Sequence, residues 1–532
     1  MIRNLTKLTK FTIGNRFYQS SSKGRFSGKN GNNAFKSIVG VSVGVSALFA
    51  GCVFLDQEKE PESTPSIDVK EKKSQPPKTK EDYQKKMDEE YDIEQFKYVI
   101  IGGGTAAYHA IDKILENDKE ATILLISKEY EVPYQRPPLT KSLWATKDDN
   151  VVNTLNFSDW SGKKQNLLYE QESAYGNEIL QFIRTKKVID LHIDEKLVLL
   201  NDGKLIRYDK CLIATGGEPR QLKFTSTNDK KISTYRTVED FRKLYEVVKD
   251  GGKHVTVLGG GFLGSELTCA INSNFQDKNI KIDQIFPESG VLSTLFPDYL
   301  SKYATEEIIK SGVNVHTGTL IKDVVDNSEN GRLTVTLNNG KTFETDHVVV
   351  AAGIIPNTNV VKSTTLEIDP INGGYVVNPE LQARTDLYVA GDVASYYDFS
   401  LGVRRRVEHH DHARATGEMA GSNMSTKDTP APYTYQPFFW SDLTPGVGFE
   451  AVGNTSSKLK TFSVWEKPSS DETKQSYTKG NIYYLNDNNN VVGVLCYGNY
   501  GKMDTARDLI LKRRTIEDLN QLQHAIDFDE HH

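Results

Sequence analysis

Residues 96–110, FKYVIIGGGTAAYHA, decide the fold of this 532-residue chain. The apolar run 98–101 predicts a buried strand, and the residues after the glycines predict a helix. Between them lies the spacing Gly102-x-Gly104-x-x-Ala107, whose small residues allow a tight turn and close approach of the backbone to a pyrophosphate. The free N–H groups at the start of the helix would bind the phosphates. The stretch therefore predicts a dinucleotide-binding unit.

The same pattern recurs in the middle of the chain. Residues 254–267 read HVTVLGGGFLGSEL, with Gly259-x-Gly261-x-x-Gly264 after a second apolar strand. A single fingerprint of this kind is a weak signal, whereas two, each between a strand and a helix, predict two dinucleotide sites in one chain.

Each unit should place an acidic residue after its second strand, where the acid accepts hydrogen bonds from ribose hydroxyls. In the first unit the sequence there is Ser127-Lys128-Glu129, so Glu129 is the candidate, and the alternative is an ordinary loop charge. In the second unit Glu288 holds this position, and the alternative is a surface glutamate. A carboxylate repels a 2′-phosphate, so Glu288 favours NADH over NADPH.

A proline-rich loop, 132–144, reads VPYQRPPLTKSLW and presents Arg136 and Lys141. These charges either contact the cofactor or are solvated. Glu266 follows Gly264 closely in the second unit and should face inward. A buried carboxylate needs a partner, and we predict that this partner is Lys141.

Further strands end in small residues, as in YDKCLIATGG (208–217), VVVAAGIIPN (348–357) and TDLYVAGDVA (385–394), which contains Asp392. Ligands of doubly wound folds lie at such strand ends. Beyond them, His409, His410 and His412 allow a metal site, but no other histidine or cysteine cluster supports it, and neutral histidines beside a cofactor are favoured. The run 404–406, three arginines, is either a nuclear-import patch or, as we expect, a solvated face.

Composition separates the N-terminus from the rest. The chain has 65 Lys and Arg against 71 Asp and Glu, a net charge of −6. Eight of the basic residues and none of the acidic ones fall within residues 1–55, which leaves 57 basic against 71 acidic residues, a net of −14, for the remainder. An acidic body does not favour bulk attraction to nucleic acid. The four cysteines contain no close pair, which argues against a disulfide framework, a zinc site and a C-x-x-C redox pair.

The first 95 residues predict targeting and anchoring segments. Residues 1–37 are basic and free of acids, as in a mitochondrial transit peptide; the alternative is a disordered basic tail. Residues 38–55 are uncharged and just long enough to span a bilayer, with an internal signal region or a buried helix as alternatives. Residues 56–95 are rich in Lys, Glu, Pro and Ser and predict a solvated linker.

The chain resembles the apoptosis-inducing-factor family of the flavin-dependent pyridine-nucleotide disulfide oxidoreductase superfamily. The resemblance covers residues 96–532 and rests on PYQRPPLTKSLW, VLGGGFLGSEL, YVAGDVA, VEHHDHARATGEMAG and FFWSDL in this order. It implies an α/β fold with two Rossmann-like, glutathione-reductase-like domains and a small α+β C-terminal domain. The expected boundaries are 96–220 with 355–432 for FAD, 221–354 for NAD, and 433–532 for the C-terminal domain.

The resemblance also implies the site residues and cofactors. FAD would contact Gly102, Gly103, Gly104, Thr105, Ala106, Glu129, Arg136, Lys141, Val188, Arg236, Asp392, His409 and His410. NADH would contact Gly260, Gly261, Phe262, Leu263, Glu288, Gly353, Glu408, Trp440 and Glu450. Lys141, Glu266 and His409 would serve the chemistry, in which NADH gives hydride to the flavin. No metal is expected.

In biological terms, the resemblance implies an FAD-dependent NADH oxidoreductase with a quinone or protein as electron acceptor. It implies a homodimer formed on reduction, mitochondrial import or assembly partners, one span in the inner membrane facing the intermembrane space, and release to cytoplasm and nucleus in cell death. A scaffold with little turnover and a ferredoxin- or monodehydroascorbate-type reductase are the alternatives. Two departures stand out: Lys128 replaces the family's first ribose acid, and the C-terminal insertion is short. DNA binding is expected to be weak.

Overall fold

The computed structural model describes residues 93–528 apart from 147, 149, 160, 361–365, 445 and 467–476. The predicted transit peptide, membrane span and almost all of the linker therefore lie outside the described residues. Within them, no helix has the length and apolar character needed to cross a bilayer.

The described helices are α1 Thr105–Asn117, α2 Val151–Thr154, α3 Val238–Val248, α4 Phe262–Asn274, α5 Asp298–Lys310, α6 His410–Ser425 and α7 Met503–Leu511, with 3₁₀ turns at Pro137–Thr140, Glu172–Ala174, Gln276–Lys278, Gly391–Val393 and Leu519–His524. The strands of the N-terminal half are β1 Glu94–Ile101, β2 Ile123–Ile126, β3 Asn156–Ser158, β4 Lys164–Asn166, β5 Leu180–Ile183, β6 Val188–His192, β7 Leu197–Leu200, β8 Leu205–Ile213, β9 Gly217–Pro219, β10 Ile232–Thr234, β11 His254–Leu258, β12 Lys281–Ile285 and β13 Asn314–His316. Those of the C-terminal half are β14 Ile321–Asp326, β15 Leu333–Leu337, β16 Thr342–Thr345, β17 His347–Val350, β18 Ile354–Pro356, β19 Tyr375–Val376, β20 Gln382–Arg384, β21 Leu387–Val389, β22 Ala394–Asp398, β23 Val403–Arg405, β24 Phe438–Thr444, β25 Val447–Gly453, β26 Lys460–Trp465, β27 Gly480–Leu485 and β28 Val491–Tyr497.

The first fingerprint lies in a largely parallel sheet with the strand order β20-β21-β8-β1-β2-β5. Strand β2 and the C-terminal ends of β1 and β8 are apolar and buried, as expected for the centre of a parallel sheet covered on both faces. Strand β21 joins this sheet from more than 170 residues further along the chain. The FAD-binding unit predicted from two separate segments is thus assembled around one sheet.

The second fingerprint lies in a five-stranded parallel sheet with the order β10-β17-β11-β12-β13. A three-stranded antiparallel sheet, β14-β15-β16, follows β13 in the chain, and its β15–β16 hairpin turns at Asn338-Asn339-Gly340. This second α/β unit confirms the predicted pair of Rossmann-like folds.

The C-terminal part forms a five-stranded antiparallel sheet with the order β24-β25-β28-β27-β26, followed by α7. Strands β24 and β25 form one side of this sheet, and β28, β27 and β26 form the other. The β24–β25 hairpin, which contains FFWSDL, was not recognised as strands because its aromatic, proline-flanked sequence does not alternate. The α+β class is confirmed; the domain borders, residue by residue, stay a prediction.

Helix α6 packs directly on α1 at two glycines. A Cβ on Gly417 would lie 2.4 Å from the carbonyl oxygen of Ala106, and one on Gly421 would lie 2.4 Å from that of Ala110. Neither position therefore has room for a side chain. The motif 407–421 owes its glycines to this close packing, which holds the histidines at the start of α6 beside the first fingerprint.

Candidate functional site

A cavity of about 960 Å³ runs between the two fingerprints. This volume is near the upper end for small-molecule sites, as a dinucleotide requires. All the predicted site residues line it except three. The residues that do are Gly102, Gly103, Gly104, Thr105, Ala106, Glu129, Arg136, Lys141, Val188, Arg236, Gly261, Phe262, Leu263, Glu266, Gly353, Asp392, Glu408, His409, His410 and Trp440.

The three predicted residues outside this lining are Gly260, Glu288 and Glu450. Gly260 packs its backbone against the ring of Phe286, which lies 2.6 Å from where a Cβ would be. Glu288 is exposed just beyond the end of β12, the position expected for a ribose acid. Glu450 lies opposite Trp440 in the β24–β25 ladder, one strand behind the cavity wall.

The first fingerprint has the backbone that its glycines predict. Gly102 has φ +115°, and a Cβ there would lie 2.3 Å from the carbonyl oxygen of Ala214 at the end of β8. Space is open beside Gly104, where no heavy atom lies within 4 Å of the point that a Cβ would occupy. Helix α1 begins at Thr105, so its free N–H groups border the cavity. Gly261, at the start of α4, is open in the same way.

Arg136 links the proline loop to the rest of the cavity wall. Its guanidinium donates to Glu129 at 2.6 Å, to the Tyr134 hydroxyl at 2.7 Å and to the carbonyl oxygen of Arg236 at 2.8 Å. Burial works to raise the pKa of Glu129, but the adjacent Arg136 holds that pKa below its ordinary value. The Glu129 carboxylate is thus ionised and committed to fixing Arg136.

Lys128 forms a second ion pair at the end of β2. Its Nζ lies 2.5 Å from Glu218 Oε1, and both side chains are about half exposed. Glu218 Oε1 also accepts from the Asn357 amide at 3.3 Å. Lys128, Glu218 and Asn357 all line the cavity.

Lys141 and Glu266 meet in the cavity wall and form the predicted pair. Lys141 Nζ lies 2.6 Å from Glu266 Oε2, to which the Thr140 hydroxyl also donates at 2.6 Å. The other oxygen, Glu266 Oε1, accepts from the Ser441 hydroxyl at 2.6 Å. Glu266 is buried and Lys141 largely so. The pairing is confirmed, and all donors to the carboxylate come from outside its own helix.

Asp392 and Glu408 line the cavity beside two arginines. Arg236 Nη2 lies 3.1 Å from Asp392 Oδ2, and Arg406 Nη2 lies 2.7 Å from Glu408 Oε1. Burial raises the pKa of Glu408, and the nearby Asp392 charge adds to that rise. These pairs hold two arginines and two acidic side chains in the cavity wall.

The histidines of α6 have separate surroundings. His409 stacks on Phe439 at 4.1 Å between ring centroids, and His410 lies edge-on to Trp440. His412 is fully buried between Tyr396 and Tyr433. Burial lowers the pKa of His409 and of His410 to about 4, so both rings are neutral at pH 7. Within the described residues no cluster of three or more potential ligands could hold a metal ion.

The arginines 404–406 are not a solvated face, contrary to expectation. Arg404 donates to the carbonyl oxygen of Ser395 at 2.6 Å, and Arg405 pairs with Asp398 at 2.8 Å. Arg406 pairs with Glu408, as described above. The strand β23 brings Arg404 and Arg405 against the buried Ser395 and Asp398, which a tri-arginine sequence alone does not reveal.

The sequence analysis did not identify four residues that line the cavity or hold a residue that does. Thr140 and Ser441 lie next to the recognised Lys141 and Trp440, and their motifs could have pointed to them. Glu218, on β9, and Asn357, directly after β18, carry no local signal, because these two strands pair across more than 130 residues.

The residues present fit a bound dinucleotide pair. Two helix starts follow glycines with open space beside them, and arginines, ionised carboxylates and neutral aromatic rings line the wall between them. These are the groups that pyrophosphates, ribose hydroxyls and flat heterocycles require.

Comparison with known families matches residues 96–417 to pyridine nucleotide-disulphide oxidoreductases and residues 420–476 to the C-terminal domain of mitochondrion-associated apoptosis-inducing factor. A Drosophila melanogaster protein that carries the name apoptosis-inducing factor 1, mitochondrial, is 36% identical over 485 residues, or 80% of this chain and 64% of that protein. A monodehydroascorbate reductase of Pisum sativum is 27% identical over 441 residues, covering 81% of this chain and 97% of that protein.

Among solved structures, the covalent putidaredoxin reductase–putidaredoxin complex is similar, with a TM-score of 0.68 and 21% identity over 81% of this chain and 95% of that chain. At this identity the likeness shows a shared fold.

Proposed function

Because this chain belongs to the pyridine nucleotide-disulphide oxidoreductase family, we propose that it is an NADH oxidoreductase of the apoptosis-inducing-factor type. The family uses FAD and NAD(P)H, and this chain is an oxidoreductase with those cofactors. One observation carries the narrower proposal: the Lys141–Glu266 ion pair lies in the cavity wall between the two fingerprints, where a flavin ring and a nicotinamide ring would meet.

When bound, FAD supplies the redox chemistry by taking hydride from NADH and passing electrons to an acceptor. The residues of this chain bind and orient the cofactors. The start of α1 and the start of α4 each present free N–H groups to a pyrophosphate. Arg136, fixed by Glu129, and Arg236, fixed by Asp392, add positive charge beside the first of these sites.

Lys141 provides a fixed positive charge at the ring end of the cavity. Its ammonium group would stabilise negative charge that develops on the flavin ring when electrons arrive. Glu266 holds Lys141 in one position, and the hydroxyls of Thr140 and Ser441 hold Glu266. Preorganisation of this kind lowers a barrier because no reorientation is needed during the reaction.

His409 and His410 would position the rings rather than transfer protons. Both are neutral at pH 7, because burial lowers the pKa of each to about 4. His409 is held flat by its stacking on Phe439, which limits how the cavity wall can rearrange.

We further propose NADH rather than NADPH as the electron donor. Glu288 lies just beyond the end of β12, where an acid accepts hydrogen bonds from the ribose 2′- and 3′-hydroxyls and repels a 2′-phosphate.

Electrons would leave the flavin without an intermediate disulfide. The three cysteines among the described residues, Cys211, Cys269 and Cys496, are all buried and none is bonded to another. A quinone or a protein is therefore the proposed acceptor. The fold shared with a putidaredoxin reductase, whose solved structure includes its protein partner, supports a protein acceptor.

The biological setting is proposed from the Drosophila relative, whose name places it in the mitochondrion. We propose a mitochondrial protein anchored in the inner membrane by residues 38–55, with its body in the intermembrane space. It would form a homodimer on reduction and assist import or assembly of respiratory proteins. Nuclear entry in cell death is the further proposal that follows from that name; the net charge of −14 over residues 56–532 argues for weak DNA binding.

A monodehydroascorbate-type reductase is the second candidate, since the Pisum sativum enzyme aligns over 97% of its length. Turnover with several acceptors separates the candidates. A fast catalyst should exceed roughly 10 s⁻¹ with its own acceptor, a typical enzyme value. Turnover at that rate with the ascorbate radical favours the reductase, whereas slow turnover with all quinone, protein and radical acceptors favours the redox-controlled scaffold. Faster oxidation of NADPH than of NADH would contradict the proposed donor.

A further inference from the structure

The residue expected to bind the FAD ribose has its carboxylate engaged elsewhere. Glu129 Oε1 pairs with Arg136 at 2.6 Å, and Glu129 Oε2 accepts from the Tyr134 hydroxyl at 2.5 Å. Both oxygens thus serve the proline loop. Lys128, the residue before it, is a cation and cannot accept a hydrogen bond.

A different carboxylate reaches the same end of the cavity. Glu218, on β9, is brought there by its ion pair with Lys128, which directly follows β2 and Ser127. Its Oε1 atom is occupied by Lys128 and Asn357, whereas Oε2 has no hydrogen-bond partner among the described residues.

The anchor of Glu218 is itself fixed. The Asn357 backbone N–H donates to the carbonyl oxygen of Gly216 at 2.8 Å, and its carbonyl oxygen accepts from the Thr215 hydroxyl at 2.8 Å. Glu218 is also held by the ladder in which it lies opposite Ile355. The carboxylate therefore has a defined position on the cavity wall.

Glu218 is ionised under ordinary conditions. The hydrogen bond from Lys128 lowers the pKa of this carboxyl, and the charge of Lys187 lowers it further. An ionised carboxylate with one free oxygen is the group that accepts hydrogen bonds from two ribose hydroxyls.

We propose that Glu218, oriented by Lys128 and Asn357, accepts the hydrogen bonds of the adenosine ribose of FAD. Glu218 would thereby take the place of the family's ribose acid, where this chain has Lys128. The location follows from the fold, in which the end of the second strand of a dinucleotide unit faces the ribose. The proposal rests on FAD occupying the first unit.

The test compares FAD with its analogue that carries 2′-deoxyadenosine, each titrated into the full-length chain freed of flavin. The unaltered chain should bind FAD about tenfold more tightly, because one charge-assisted hydrogen bond of about 1.4 kcal/mol is lost with the hydroxyl. Equal affinities for the two flavins would overturn the proposal without any variant. A chain that binds neither flavin would instead contradict the proposed function.

Two variants locate the effect. Glu218→Gln should weaken FAD binding about tenfold, since the charge of the acceptor is lost, and should weaken the deoxy analogue less, since that analogue keeps only the 3′-hydroxyl as a donor. Lys128→Gln should weaken FAD less than Glu218→Gln does, because Asn357 still holds the carboxylate. A larger loss with Lys128→Gln, or an equal loss of both flavins with Glu218→Gln, would overturn the assignment.

Glu94→Gln is the matched control. Glu94 pairs with Lys204 at 2.9 Å with side-chain exposures of 49% and 38%, close to the 42% and 50% of Glu218 and Lys128, but it lies outside the cavity lining. The Glu94→Gln variant should bind FAD as tightly as the unaltered chain does. A loss in this control as large as that in Glu218→Gln would assign the effect to general surface charge and overturn the proposal.

Discussion

Lys141 Nζ lies 2.6 Å from Glu266 Oε2, although 125 residues separate the two in the sequence. The ion pair joins the proline loop after the first fingerprint to the helix that opens the second. Ser441 completes the arrangement from the C-terminal sheet. A single buried carboxylate therefore ties together three segments of the chain at the ring end of the cavity.

Lys141→Gln should slow reduction by NADH by about 100-fold, because removing one preorganised group that stabilises developing charge costs roughly that much. The reduction potential of the bound flavin should fall as well, since a positive charge beside it is lost. Stopped-flow absorbance and redox titration measure the two effects. Lys196→Gln is the control, as Lys196 pairs with Asp386 at 2.7 Å outside the cavity lining. Unchanged rate and potential in Lys141→Gln would refute the role of this lysine.

Glu266→Ala should destabilise the fold by about 3 kcal/mol, because it leaves the largely buried Lys141 without its partner. Glu266→Gln should cost less, since an amide oxygen can still accept from Thr140 and Ser441. Urea denaturation of the flavin-free chain gives both free energies of unfolding. Equal losses in the two variants would show that the hydroxyl donors contribute nothing.

Gly417→Ala should destabilise the chain by about 1–3 kcal/mol, because the added methyl group would lie 2.4 Å from the Ala106 carbonyl oxygen and force α6 away from α1. FAD affinity should fall with it, as α1 opens the first fingerprint. Ser422→Ala, on the same helix and half-buried, should change stability by less than about 0.5 kcal/mol. Thermal unfolding measures the stability of both variants. If Gly417→Ala is as stable as the unaltered chain, α6 does not pack as closely on α1 as described.

Stability should fall as the pH drops below about 6.5, because burial lowers the pKa of His412 to about 3 in the folded chain. Between these pH values the unfolded chain binds a proton that the folded chain does not. The free energy of unfolding therefore falls by up to about 1.4 kcal/mol for each pH unit of acidification through this residue. His412→Phe should make the dependence of the free energy of unfolding on pH shallower. His524→Phe, at an exposed site, is the control. An unchanged slope in His412→Phe would contradict the burial of a neutral ring.

Glu288→Ala should reduce the preference for NADH over NADPH about tenfold, mainly by admitting the 2′-phosphate. The ratio of kcat/KM for the two donors reports the change. Glu306→Ala, an exposed glutamate on α5, should leave the ratio as it is. If Glu288→Ala changes kcat/KM for NADH and for NADPH by the same factor, the acid does not face the ribose.

Local spacing made most of the architecture predictable. The fingerprints at Gly102 and Gly259 fix strand, turn and helix in a stretch of about fifteen residues, so both α/β units could be predicted from them. The Lys141–Glu266 pairing was predictable because each residue lies beside a recognised motif and a buried carboxylate needs a cation. The β24–β25 hairpin was not, since the apolar residues of β24 fall on both of its faces and do not alternate with polar ones.

The contacts at the adenosine end of the cavity could not be predicted from the sequence, for a different reason. Glu129 occupies the expected position, but its engagement by Arg136 depends on how the proline loop folds back. Asn357 meets Glu218 where β9 pairs with β18, and Lys128 meets Glu218 across 90 residues. Likewise, arginines 404–406 have the sequence of a solvated patch, and only the surrounding strands supply their acceptors. Pairings between distant segments therefore limited the prediction.

Anaerobic titration of the full-length, FAD-loaded chain with NADH tests the central claim most directly. We predict that one equivalent of NADH bleaches the visible flavin band, that a long-wavelength band persists while the product stays bound, and that light scattering shows growth from monomer to dimer. A flavin band that NADH leaves unchanged would contradict the account, because the two fingerprints would then not bring the cofactors together.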